Sequence, residues 1–167
     1  LMGVCGCGKT TVGRALASEL EWPFFDADDF HPPENVAKMA QGIALTDDDR
    51  GPWLDRVAGE MRELSRQKKD AVLACSALKG SYRQRIALGI GGPESDGRSL
   101  LRFVYLKGDA GTIEPRLALR SGHYMPPSLL ASQFETLEEP RDAMVIDIRQ
   151  TTEAQAAQIA AALRAAA

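Results

Sequence analysis

Gly3-Val4-Cys5-Gly6-Cys7-Gly8-Lys9-Thr10 decides how the rest of the chain is read. It satisfies G-x-x-x-x-G-K-[ST] at every fixed position, the phosphate-binding P-loop. Glycines at 3, 6 and 8 permit backbone conformations in which successive N–H groups turn inward around a phosphate. A helix opening near Lys9, with Val12, Leu16 and Leu20 on one face, adds its positive dipole end. In that setting Lys9 neutralises β- and γ-phosphates, Thr11 joins the phosphate cradle, and the Thr10 hydroxyl takes one position on Mg²⁺. A glycine-rich turn that merely caps a helix is the plainer alternative. A P-loop follows a buried strand, yet only Leu1 and Met2 precede Gly3, so the natural chain is expected to have further residues ahead of Leu1.

Working outward, Phe24 to Asp28 reads as a buried strand ending in acids. Helices are expected over Glu34–Gln41, from the Thr46–Asp49 region with Pro52 in its first turn, over Tyr82–Leu88, Ala110–Arg120 and Ser128–Leu137, and from Thr152. Ala71–Cys75, Leu101–Leu106 and Met144–Ile148 read as further strands, the first continuously apolar as a central parallel strand is. Gly89 to Gly97 reads as a glycine-rich surface loop. Strands alternating with helices predict one α/β domain over residues 1–167, built on a parallel sheet. Ligands in such sheets gather at the carboxyl ends of the strands.

Composition limits the partners. A formal net charge of −3 with 44% hydrophobic and 26% charged residues is ordinary for a globular protein and argues against general nucleic-acid or anionic-membrane binding. No apolar run approaches the roughly 20 residues that span a bilayer, and no leader pattern suggests export. Three cysteines make no disulfide framework, and reduced thiols in a cytoplasmic protein is the simplest reading.

The central strand ends in Cys75-Ser76 without an Asp, so the metal carboxylate is sought at another strand end. Asp26 and Asp28 qualify, and their alternation places both on one side if the strand continues that far. One would support Mg²⁺ and the other orient or deprotonate an acceptor hydroxyl; Asp29 reads as a solvated turn acid. Asp47 and Asp48 are read mainly as capping residues. His31 suits an anion or a hydroxyl and equally an ordinary loop position. Lys38, Arg50, Lys79 and Arg83 cluster near strand ends, which favours an anionic acceptor, although each alone also suits a solvated surface. Arg116 and Arg120 share a helix face entering the Gly122 loop, the geometry of a lid over about 116–128, and a plain exposed helix end has the same spacing. Trp53 with Leu54, Val57 and Met61 reads as core.

Taken together, GVCGCGKTTVG, FFDADDFHPPENVAKMAQGIALTDDDRGPWL, ACSALKGSYRQR, FVYLKGD and RSGHYMPPSLLASQFETLEEP resemble the gluconokinases, small P-loop kinases related to shikimate kinase. The resemblance runs from Gly3 to about Ile148. It implies a nucleoside-monophosphate-kinase-like three-layer α/β/α fold and transfer of the ATP γ-phosphoryl to the 6-hydroxyl of D-gluconate with Mg²⁺, in sugar-acid catabolism. It also implies a homodimer. By match to the family's motifs, Lys9, Asp28 and Arg120 are the catalytic candidates. Thr10 and Asp26 fall on the metal side, and His31, Lys38, Arg50, Lys79 and Arg83 on the acceptor side within about 31–66. Arg116, Arg120 and His123 match the lid and nucleotide side, His123 being counted among the substrate-binding candidates. Cys5 and Cys7 replace serines common in this loop, and Ala27 a frequent glycine. A lowered pKa at Cys7, beside a helix N-terminus and Lys9, leads to the expectation that mild oxidation inactivates the protein. Kinases of other small hydroxy acids such as shikimate, nucleoside monophosphate kinases, and a non-catalytic nucleotide switch are the alternatives; the N-K-x-D base-reading motif of GTPase switches is absent.

Overall fold

Leu1–Met2 forms the middle of the sheet. In the computed structural model, which describes residues 1–91, 101–119 and 129–166, Met2 N–H donates to the Val104 carbonyl at 2.8 Å and Leu106 N–H donates to the Met2 carbonyl at 2.9 Å. On the other side Cys75 N–H donates to the Leu1 carbonyl at 3.0 Å. These bonds join two parallel pairs, β1 (Phe24–Asp26) with β2 (Val72–Ala74) and β3 (Val104–Lys107) with β4 (Met144–Asp147). The spatial order is therefore β1, β2, Leu1–Met2, β3, β4. The chain leaves the central segment through α1 for β1 on one side and later passes from β2 through α4 to β3 on the other. The P-loop lies at the end of the central segment, where the direction of winding changes.

Side chains alternate across the sheet as the period of two requires. Val72, Val104, Leu106 and Ile146 pack with Val12, Leu16, Ile113, Leu117 and Ile159, from α1 (Lys9–Leu20), α5 (Ala110–Ala118) and α7 (Thr152–Ala165). Met2, Cys75 and Tyr105 face the opposite layer, where Trp53, Leu54 and Val57 of α3 (Asp47–Arg66) meet Tyr82, Ile86 and Ile90 of α4 (Gly80–Ile90). The result is the expected three-layer α/β/α arrangement. Among the described residues, no helix is long and apolar enough to cross a membrane.

Two local expectations are corrected. β1 stops at Asp26, because Asp26 Oδ1 accepts from the Asp28 N–H at 3.2 Å and caps a 3-10 turn over Ala27–Phe30. Strand alternation thus does not govern Asp28. The helix α3 begins earlier than Pro52 suggests: Thr46 and Asp49 form a reciprocal capping box, and Pro52 falls in the second turn, where the Asp48 carbonyl forgoes its helical donor.

The close approach of α3 and α4 carries Arg50 and Trp53 toward the strand ends. It depends on Gly89, where an added methyl would overlap the methyl of Ala58. Gly89→Ala is expected to lower unfolding stability by about 1–3 kcal/mol in chemical denaturation, with Ala58→Gly recovering part of the loss. Equal stability of the parent and Gly89→Ala would show that the two helices can part without cost.

Candidate active site

The loop between Met2 and α1 is held open by its glycines. Gly6 (φ 76°) and Gly8 (φ 102°) adopt the left-handed region. A Cβ on Gly6 would stand 2.8 Å from the Leu117 side chain and 2.9 Å from Ile113, so α5 seats the loop from below. From α6 (Leu129–Thr136), Gln133 Oε1 accepts from the Cys5 N–H at 2.6 Å. Lys9 Nζ donates to the Gly3 and Val4 carbonyls at 2.9 and 3.0 Å, which leaves one ammonium proton for a ligand at the mouth of the loop. Thr10 Oγ1 donates to Asp26 Oδ2 at 2.8 Å. Two hard oxygens side by side at a P-loop suit Mg²⁺, which keeps waters and shares phosphate oxygens rather than needing an all-protein cage. Among the described residues, no group of three His, Cys, Asp or Glu side chains is placed to hold a metal ion.

A cleft of about 520 Å³ runs from this loop in two directions. Toward α7 it is lined by Arg116, Gln150, Thr151 and Gln155. Arg116 donates to the Ile148 carbonyl at 2.8 Å, and the Gln155 amide nitrogen donates to the Gln150 carbonyl at 2.9 Å. Toward α3 the lining is Asp28, His31, Leu45, Arg50 and Trp53. Here His31 stacks on Trp53, ring centroids 4.2 Å apart and planes 15° from parallel. Trp53 is 2% exposed and its Nε1–H donates to the Ala27 carbonyl at 2.6 Å, which ties α3 to the turn bearing Asp28. Burial, and secondarily the Arg50 charge, pushes the His31 pKa down to about 4. His31 is therefore neutral at physiological pH. An unfolded histidine takes up its proton near pH 6.5, before the folded one does, so acid stabilises the unfolded chain between about pH 6.5 and 4. The melting temperature is expected to fall as pH drops through that window, and His31→Gln should flatten the slope; an unchanged slope in the variant would contradict this.

Similarity to known proteins extends over most of the chain. The family model described as "Shikimate kinase" matches residues 5–164. The thermoresistant gluconokinase of Escherichia coli strain K12 is 42% identical over 157 residues, covering 92% of this chain and 85% of that protein. The chain belongs to the gluconokinase family. Among solved structures, a gluconokinase from Sinorhizobium meliloti 1021 superposes with a TM-score of 0.77 at 39% identity, over 98% of this chain and 93% of the other. An unliganded sugar kinase from Janibacter sp. HTCC2649 superposes with a TM-score of 0.85 at 40% identity, over 98% and 91%. This is a family of ATP-dependent carbohydrate kinases.

The predicted cations separate into two groups. Lys9, Arg50 and Arg116 line the cleft, whereas Lys38, Lys79 and Arg83 do not. Lys38 pairs with Asp49 at 2.6 Å and holds that carboxyl down at about 2, with the Thr46 backbone and hydroxyl contributing less. Lys79 pairs with Asp47 at 2.8 Å, and Asp47 also accepts from the Tyr82 hydroxyl. Arg83 donates to the Ala77 and Leu78 carbonyls at 3.0 and 3.1 Å. Asp47 thus ties α3 to α4 besides standing in the first turn of α3. Arg50 donates to the Tyr82 hydroxyl at 3.2 Å, lies 3.9 Å from Asp47, and lines the cleft. Arg120, His123 and most of the segment 116–128 expected to form a lid lie outside the described residues, as does most of the Gly89–Gly97 loop.

Trp53 is core, as its helical spacing predicted, and also a wall of the site, which the spacing did not reveal. Asn35, Gln133 and Gln155 were missed altogether. Asn35 follows His31 by one helical turn, the only hint in the sequence. Cys7 is 1% exposed and packed among apolar side chains, so it lacks the access that oxidation needs and the expected redox sensitivity has no structural basis. Cys75 is likewise inert, its thiol pushed up to about 12 by burial.

Proposed function

We propose that this chain transfers the γ-phosphoryl group of ATP to the 6-hydroxyl of D-gluconate, giving 6-phospho-D-gluconate and ADP. The observation that carries the reading is one cleft lined jointly by the P-loop, Asp26 and Asp28, and by Arg50 and a neutral His31. Gluconate has matching polarity, a carboxylate at one end of an open polyol and the reacting hydroxyl at the other. Arg50 pairs the carboxylate, and Asp28 accepts the proton of the 6-hydroxyl as its oxygen attacks phosphorus and the bond to ADP breaks. The N–H groups from Gly3 to Thr11 and the Lys9 ammonium hold the phosphates in line with that hydroxyl. Mg²⁺ would be held by Thr10 and, directly or through water, by Asp26, where it offsets phosphate charge. Arg116 and Arg120 serve the nucleotide, and His123 the acceptor, from the segment 116–128. Lys38, Lys79 and Arg83 act from behind, fixing the acids and carbonyls around Arg50.

The reading takes residues 1–167 as one kinase domain with an acceptor segment over about 31–66. It includes a cytoplasmic setting and a homodimer, both supported by the family resemblance; sedimentation as a monomer would remove the dimer. The deciding assay couples ADP release to gluconate, shikimate, other sugar acids and nucleoside monophosphates in turn. Gluconate should give by far the highest kcat/KM. No turnover with gluconate alongside turnover of another acceptor would overturn the assignment, and nucleotide binding without any turnover would favour a switch.

A further inference from the structure

His31 could meet a ligand in three ways: as an imidazolium, as an Nδ1–H donor or as an Nε2–H donor. The surrounding bonds choose among them. Asn35 is 3% exposed, and its amide nitrogen donates to the Asp49 carbonyl at 2.9 Å. That carbonyl can only accept, so the amide cannot be turned over, and Nδ2 is the atom presented to His31 Nδ1 at 3.4 Å. A donor facing Nδ1 requires that nitrogen to carry a lone pair. The proton of the neutral ring then resides on Nε2. Stacking on Trp53 restrains the ring from rotating to exchange its nitrogens. The Arg50 charge nearby disfavours a second proton.

We propose that Asn35 is a positioning residue that holds His31 as the Nε2–H tautomer, so that the acceptor arm offers an uncharged N–H donor to a hydroxyl oxygen of the polyol while Arg50 alone answers the carboxylate. This rests on the gluconate reading for the identity of the ligand, but not for the state of the ring. The arrangement separates two tasks that a pair of cations would confuse. A second cation beside Arg50 would let the carboxylate bind in either place, whereas a neutral donor favours a hydroxyl there and fixes which end of the chain points to Asp28.

The ring is read directly by long-range ¹H–¹⁵N NMR on the ligand-free protein. With two histidines in the chain, the signal missing from His31→Gln identifies His31. The expected spectrum shows an unprotonated Nδ1 and a protonated Nε2, unchanged from pH 8 to pH 5.5. Protonation on Nδ1, or titration with an ordinary midpoint near 6.5, overturns the proposal. Kinetics supply a second readout. Asn35→Asp faces Nδ1 with a carboxylate, which favours the Nδ1–H and imidazolium forms, and should raise KM for gluconate about tenfold with kcat changed much less. His31→Gln, whose amide can still donate, should retain more affinity than His31→Leu; equal KM values for parent, Gln and Leu variants also overturn it. Failure to phosphorylate gluconate would remove the functional reading and leave the NMR result standing. An Nδ1–H ring would remove this inference and leave gluconate turnover untouched.

Discussion

Asp28→Asn should lower kcat for gluconate phosphorylation by about 10²–10⁴-fold, the usual contribution of a positioned general base. The substitution is nearly isosteric. It leaves the backbone bond from the Asp28 N–H to Asp26 intact, so the 3-10 turn and the Trp53 anchor on Ala27 should persist. What changes is the ability to accept a proton from the attacking hydroxyl. ATP affinity, set by the P-loop N–H groups and Lys9, should stay within about threefold, and KM for gluconate should move less than kcat. Steady-state kinetics with gluconate varied at saturating ATP, paired with calorimetric ATP titration, make the measurement. A near-normal kcat would mean that the hydroxyl loses its proton elsewhere or only after the transition state, and would remove Asp28 from the chemistry.

What the sequence conveyed and what it withheld follow from range. The P-loop is a local object: Gly6, Gly8, Lys9 and Thr10 lie within one turn of chain, and their spacing carries their geometry. Asking which strand end could supply a carboxylate near the P-loop singled out Asp26 and Asp28, a question of topology that alternating strands and helices answer, and Asp26 does accept from the Thr10 hydroxyl. The cations were harder. Lys38 meets Asp49 and Lys79 meets Asp47 across 11 and 32 residues, and nothing in either segment announces its partner. Counting positive charges therefore overstated how many line the cleft. His31 shows the same limit from the other side. Its neutrality is set by burial, with Trp53 against one face and Arg50 nearby, on a helix that begins sixteen residues later. Asp26 and Asp28 both line the cleft for a reason that strand alternation did not supply, since the Asp26 carboxylate accepts from the Asp28 N–H and ends the strand. Cys7 was misjudged because a helix N-terminus suggests access, whereas Gly3 lets its sulfur pack inward: a Cβ at Gly3 would lie 2.9 Å from Cys7 Sγ.

Lys9→Met should reduce kcat/KM for ATP by about 10²–10³-fold, the scale seen when one charge-stabilising donor is removed from a transition state. Lys9 has two tasks that can be separated. It braces the loop through the Gly3 and Val4 carbonyls, and its third N–H and its charge serve the phosphates. If bracing were the larger task, the ligand-free variant would melt well below the parent. Each such bond contributes only about 0.5–1.5 kcal/mol net, and the methionine chain retains the packing of the stem. The free proteins should therefore melt within a few degrees of one another. Their response to nucleotide should differ far more. At ATP concentrations a hundredfold above Kd, binding stabilises the parent by about 2.7 kcal/mol. The same concentration should scarcely shift the variant, because the phosphates enter a loop that still offers N–H groups but has lost its charge. A variant that melts early yet keeps its ATP-dependent shift would assign Lys9 to the loop's architecture. The charge at the transferring phosphoryl would then have to come from Arg116 or from the segment beyond Leu119.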